Sequence, residues 1–178
     1  MLYNDPFLGR YDSLVHFDEY KFYSECSEKL APLARNDSFG YLFRATKALC
    51  DVLSVKYALG ARARKAYQSG DRAGLEKVLS DFAAAREKLD SFRRAYYDEW
   101  FADKKPEGYE VIDLRLGGLA SRLETCEKRL SEYLSGKLAR IEELENELLC
   151  CDGQGKDFYG KPGYFACYER AASQSNLL

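Results

Sequence analysis

The chain has 178 residues, a formal net charge of −2 and 46% hydrophobic residues, which suits one folded domain with a substantial core. So even a charge balance gives no electrostatic basis for binding nucleic acid or an acidic membrane surface. No run approaches about 20 uninterrupted apolar residues, so no bilayer-spanning helix is predicted. The opening Met1-Leu2-Tyr3-Asn4-Asp5-Pro6 has neither the basic n-region nor the apolar h-region of a signal peptide, and a cytoplasmic location is the expectation.

Tyr3 to Leu14 is irregular, with Asp5-Pro6 and Gly9 as turn signals, and residues 1–17 read as a lead-in linker. A first helix is predicted over 18–35, with Tyr20, Tyr23, Leu30, Leu33 and Ala34 as its apolar stripe and Pro32 kinking or ending it. Asn36-Asp37-Ser38 is a polar break, and Ser38 is a candidate N-cap. A second, long helical pattern carries Leu42, Ala45, Leu49, Val52, Leu53 and Leu59 at spacings of three and four, running to about Ser69. Gly70 stops it, and Asp71 caps the next.

The third predicted helix carries Leu75, Val78, Leu79, Phe82, Leu89, Phe92, Tyr96 and Trp100. Its opposite face holds Glu76, Lys77, Arg86, Glu87 and Arg93 and reads as solvated, not as a binding patch. Lys104 to Gly108 ends it. The fourth pattern is the longest: Ile112, Leu116, Leu119, Leu123, Cys126, Leu130, Leu134, Leu138, Ile141, Leu144 and Leu148 step by threes and fours. Ser135-Gly136 is expected to bend this helix while the stripe passes through in phase. The expectation is an all-α fold: an antiparallel bundle of about four long helices over 18–149, with irregular N- and C-terminal segments. Residues 150–178 form a Gly- and aromatic-rich tail, read as a loop over 151–163 and then a short helix or a docked tail.

The residues show no catalytic machinery. The single histidine, His16, would have to serve any Ser-His-Asp or Cys-His arrangement, and no glycine-framed serine accompanies it. Asp98-Glu99 and Glu142-Glu143 are adjacent on helices and point about 100° apart, so neither pair can flank one bond from opposite sides. Gly153-Gln154-Gly155-Lys156 lacks both the preceding strand and the spacing of a phosphate loop. Cys26, Cys50, Cys126, Cys150, Cys151 and Cys167 match neither a disulfide framework nor paired zinc ligands and read as reduced thiols. No cofactor and no metal are expected. Aromatic residues cluster at both ends: Tyr3, Phe7, Tyr11 and Phe17 at the start, and Phe158, Tyr159, Tyr164, Phe165 and Tyr168 at the close. Such tails either cover another domain or fold back on the bundle.

Gly117 and Gly118 interrupt the fourth pattern, where each glycine costs roughly 1 kcal/mol against alanine. Arg115 and Arg122 lie one turn to either side of Gly118, with Asp113 off to the side. Two arginines about a glycine gap suit carboxylates or carbonyls. Either a neighbour docks there, or the glycines serve close packing inside the bundle.

The sequence resembles the C-terminal helical domain that follows the catalytic barrel in one branch of the family-20 glycoside hydrolases, the β-N-acetylhexosaminidases. The likeness is carried by "LYNDPFLGRYD" (Leu2 to Asp12), "KALCDVLSVKYALGARARKAYQSGD" (Lys47 to Asp71) and above all "GYEVIDLRLGGLASRL" (Gly108 to Leu123), and it spans nearly the whole chain. It implies that residues 1–17 lead in from a preceding barrel of the same polypeptide. It implies too that the catalytic glutamate, with the aspartate that orients the substrate's own acetamido nucleophile, lies on that barrel. Asp98-Glu99 shares the letters but sits mid-helix before Trp100, so no catalytic role is carried over to it. Under this resemblance the domain braces the barrel, forms a homodimer or shapes the pocket rim, with Trp100, Asp113, Arg115, Gly117, Gly118 and Arg122 as interface or rim candidates. The competing expectation is a free-standing helical protein-protein interaction module.

Overall fold

The computed structural model describes residues 1–9, 11, 12, 15, 18–36 and 38–146. Among them the structure is all-α, with no strand: α1 (Glu19–Leu30), α2 (Gly40–Lys56), α3 (Leu59–Gln68), α4 (Arg72–Asp103), α5 (Tyr109–Leu134) and a single turn, α6 (Glu142–Glu145). His16, Leu148 and the glycine-rich and aromatic tail after 146 lie outside the described residues.

The central element is α4, at 32 residues. Asp71 caps it as expected, its carboxylate accepting from the Gly74 amide at 2.9 Å. Leu75, Val78, Phe82, Ala85, Leu89 and Phe92 turn one continuous stripe into the core. α5 returns antiparallel beside it, with Leu116, Leu119, Leu123, Cys126 and Leu130 buried against that stripe. Arg86 of α4 reaches Glu127 of α5 at 2.8 Å, and Arg72 reaches the Leu134 carbonyl at the same distance, which fixes the alignment of the pair.

The predicted second helix is two helices. α2 covers the C-terminal half of α4, with the Tyr41 hydroxyl donating to Asp103 at 2.7 Å. α3 covers the N-terminal half, with Arg62 pairing with Asp81 at 2.7 Å. The break at Tyr57-Ala58 carries neither glycine nor proline. It falls where the chain's own N-terminal segment crosses: Lys56 just before it is buried, and a Cβ built on Gly60 just after it would lie 2.6 Å from the Pro6 carbonyl oxygen. Nor is Ser38 the cap of α2. Instead Asn36 Oδ1 accepts from the amides of Ser38 and Phe39 at 2.9 and 3.0 Å, and the helix starts at Gly40.

Two further expectations change. α1 stops at Leu30, and Leu33–Arg35 is a separate 3-10 turn after Pro32. None of its predicted stripe is fully buried: Tyr20 and Leu33 are exposed, and Tyr23, Leu30 and Ala34 are half-buried; α1 meets α2 through buried Ser27, which donates to Asp51 at 2.5 Å, and through the Tyr23–Tyr57 ring contact. At the far end, Ser135-Gly136 ends α5 instead of bending it. Gly136 has φ +77°, and the Lys137 and Gly136 amides close back on the Glu132 and Tyr133 carbonyls, a helix-terminating geometry that favours glycine. Leu138, Ile141 and Leu144 then return to the core through a loop and α6. Their helical spacing reflects burial at those positions, not a continuing helix.

Candidate functional site

A dense polar arrangement forms where the N-terminal segment crosses α2, α3 and α5. Phe7 is fully buried, edge-on to the Phe82 ring of α4 at a centroid distance of 6.1 Å. Just before it, Asp5-Pro6 makes a turn in which Asp5 Oδ1 accepts from the Phe7 and Leu8 amides at 2.9 Å each. The same carboxylate takes both arms of Arg122, from Nε at 2.7 Å and Nη2 at 3.1 Å.

Three further cations hold the segment. Lys56 donates to the Asn4 carbonyl at 2.7 Å and the Met1 carbonyl at 3.3 Å. Arg64 Nη2 donates to the Phe7 carbonyl at 2.7 Å, while its Nη1 donates to the carbonyls of Leu144 and Asn146. One guanidinium thus staples both the N-terminal segment and the chain after α5 onto α3. The Arg115 guanidinium lies 4.4 Å from the centre of the Tyr3 ring. Within the segment, Asn4 Nδ2 donates to Asp12 Oδ1 at 2.8 Å, and Asn4 Oδ1 accepts from the Tyr11 amide.

Burial decides the electrostatics. It pushes the Asp5 carboxyl up, but the Arg122 guanidinium and the Leu8 and Phe7 amides pull harder, and the group ends below the usual carboxylate range. Asp12 has weaker help from Asn4, Arg64 and Lys56, so burial carries it up to about 6; its Oδ2 is buried without a hydrogen-bond partner. Lys56 is pulled down to about 8 by burial, against the opposing charges of Asp5 and Asp12. Burial also drives the Cys126 thiol up to about 12, which makes it a poor nucleophile. Chemically, this site binds backbone carbonyls and one carboxylate and fixes a peptide in place.

The structure places Arg115 and Arg122 on one side of α5, about a half-buried Gly118, and both take groups of the N-terminal segment: an aromatic ring and a carboxylate. Gly117 faces open space, with nothing within 4 Å of a built Cβ. Asp113 is exposed and apart from this cluster. Trp100 lies at the α4–α5 turn, its Nε1 donating to the Lys105 carbonyl at 2.8 Å and its ring against Tyr96 and Tyr109. Sequence reasoning missed Lys56 and Arg64. For Lys56 a signal was present, because it follows Leu53 and Val52 of the apolar stripe by three and four residues; for Arg64 there was none, because Ala63 and Ala66 stand one and two positions away, on other sides of the helix.

Residues 1–160 match the family model described as the Glycoside Hydrolase 20C C-terminal domain, a span that contains the whole N-terminal clamp. No curated protein matches the chain.

Proposed function

Since the chain belongs to the Glycoside Hydrolase 20C C-terminal domain family, we propose that it is the non-catalytic helical domain following the catalytic barrel of a β-N-acetylhexosaminidase-like enzyme, and that its first residues are the strap by which it braces that barrel. The observation that carries this reading is the burial of the strap. A flexible tether would be solvated along its length. Here Tyr3, Asn4, Asp5 and Phe7 are each held by a different side chain of the bundle. Such an anchorage fixes the segment on the bundle, which supports a brace over a loose tether.

Bond cleavage is assigned to the barrel, with the full polypeptide releasing terminal N-acetylhexosamine. Asp98-Glu99 supports that division: Glu99 is buried and paired with Lys104, whereas Asp98 faces solvent, so the two do not converge on one substrate. The test assays this chain and the full polypeptide on an aryl N-acetyl-β-glucosaminide. Turnover is expected only from the full polypeptide, and turnover by the chain alone overturns the reading. Bracing adds a second outcome: in the full polypeptide, Asp5→Asn should lower the temperature at which activity is lost while leaving KM unchanged.

A further inference from the structure

Between α2, α4 and α5, beside Tyr3, lies an open groove of about 490 Å³. Small-molecule sites span about 300–1,000 Å³, so the groove is of a size to hold one. Leu42 and Leu49 of α2 and Ile112 of α5 line it, and Phe92 and Tyr96 of α4, their ring centres 5.4 Å apart and stacked, add aromatic surface. Two polar groups in these walls are already engaged: the Thr46 hydroxyl donates to the Leu42 carbonyl at 2.9 Å, and the Glu99 carboxylate pairs with Lys104.

Three others are not. The Tyr3 and Tyr96 hydroxyls and the Arg115 N–H groups border the groove without a hydrogen-bond partner among the described residues, and Arg115 makes no ion pair among them. The three stand close together. The Arg115 guanidinium lies 4.4 Å from the centre of the Tyr3 ring. Burial raises the Tyr3 hydroxyl above its usual range, against the pull of Arg115 and with a push from Tyr96, so it remains a neutral donor. A guanidinium and two phenol hydroxyls on one border match the two oxygens of a carboxylate. We propose that the groove binds a small carboxylate carried on an apolar ring or chain, with Arg115 pairing with the carboxylate, Tyr3 and Tyr96 donating to it, and Leu42, Leu49 and Ile112 covering the apolar part. A free sugar or a phosphate monoester of a sugar fits less well. Each carries polar groups around its whole outline, and apolar walls would leave those groups unpaired. The site does not depend on the reading of the chain as the domain that follows a barrel.

The experiment titrates this chain with 3-phenylpropanoate, and with 3-phenylpropanamide as its uncharged match, following amide shifts by NMR. Saturable binding of the carboxylate is expected with Kd on the order of 1 mM or tighter for a ligand of this size. It should be about tenfold tighter than binding of the amide. Arg115→Gln should weaken the carboxylate by about tenfold and leave the amide unchanged. Tyr3→Phe and Tyr96→Phe, which keep the rings, should each weaken the carboxylate by about threefold. Thr46→Trp, placed on the exposed wall of α2, should abolish binding of both probes while the melting temperature holds. Absence of saturable binding overturns the proposal, as does equal affinity for carboxylate and amide. Binding untouched by Thr46→Trp would place the ligand elsewhere and overturns it too. Equal loss of both probes in Arg115→Gln would make Arg115 a wall of the groove and not the partner of the carboxylate. Binding by this chain but not by the full polypeptide would mean that the groove is covered there, and the ligand site falls.

Discussion

Arg122 of α5 grips the carboxylate of Asp5 with two nitrogens across 117 residues of sequence. Asp5 is only 4% exposed at its side chain, while Arg122 keeps partial access to water. The pair joins the beginning of the chain to the helix that carries Gly117 and Gly118, and so closes one side of the clamp.

Removing one partner leaves the other largely buried and charged, without its counter-charge. Asp5→Asn should therefore destabilise the chain by about 3 kcal/mol, near the low end for broken buried pairs. Urea unfolding at neutral pH measures it. In a double-mutant cycle, Asp5→Ala with Arg122→Ala should cost less than the sum of the single changes. Additive costs would mean that the two side chains act separately.

Phe7 contributes by volume. It is fully buried against Phe82, so Phe7→Ala should cost about 3–5 kcal/mol and Phe7→Leu much less. Because the loss empties the clamp, amides of the strap should exchange with solvent faster than those of α4, read by hydrogen exchange.

Asp12 sets a pH dependence of opposite sign to the usual carboxylate. Its native pKa, raised to about 6, lies above the unfolded value near 3.9, so the unfolded chain gives up its proton first. Stability attributable to this group is full below about pH 4 and falls as pH rises toward 6, by about 3 kcal/mol in all. Asp12→Asn should flatten that window and raise stability at pH 7.5, measured as the urea midpoint against pH. The groups facing Asp12 are Asn4, Arg64, Lys56 and Asp5. They leave the window clear: Asp5, held low, loses its contribution only as pH falls below about 4, and Lys56, lowered to about 8, adds stability only as pH rises from about 8 toward 10.

Two glycines should respond in opposite directions. A methyl on Gly60 meets the Pro6 carbonyl at 2.6 Å, and backbone on both sides has to shift, so Gly60→Ala should loosen the strap and lower the melting temperature. A methyl on Gly117 meets nothing within 4 Å, so Gly117→Ala in this chain should stabilise α5 by up to about 1 kcal/mol through helix propensity alone. Thermal melts of the two variants side by side check both.

Much of the architecture was legible in the residues. The stripe from Leu75 to Phe92 and the one from Leu116 to Leu130 are buried as the spacing predicted, and Gly70-Asp71 and Lys104 to Gly108 separate the helices where expected. Of the clamp, the Asp5-Pro6 turn and the pairing of Arg115 with Arg122 about Gly118 could be read beforehand. The partners of those arginines could not, because nothing local distinguishes Asp5 from the other carboxylates.

By itself, then, the sequence determined which stretches coil and which side of each coil is buried, since periodicity is a property of neighbours three and four apart. Only the tertiary structure decided that the second helix breaks at Tyr57-Ala58, that the chain reverses at Gly136 and that Lys56 and Arg64 turn inward to hold the carbonyls of a segment more than 50 residues away. Those outcomes depend on distant backbone needing hydrogen-bond donors once it is buried, and a donor's position in space is set by packing, not by its place in the chain.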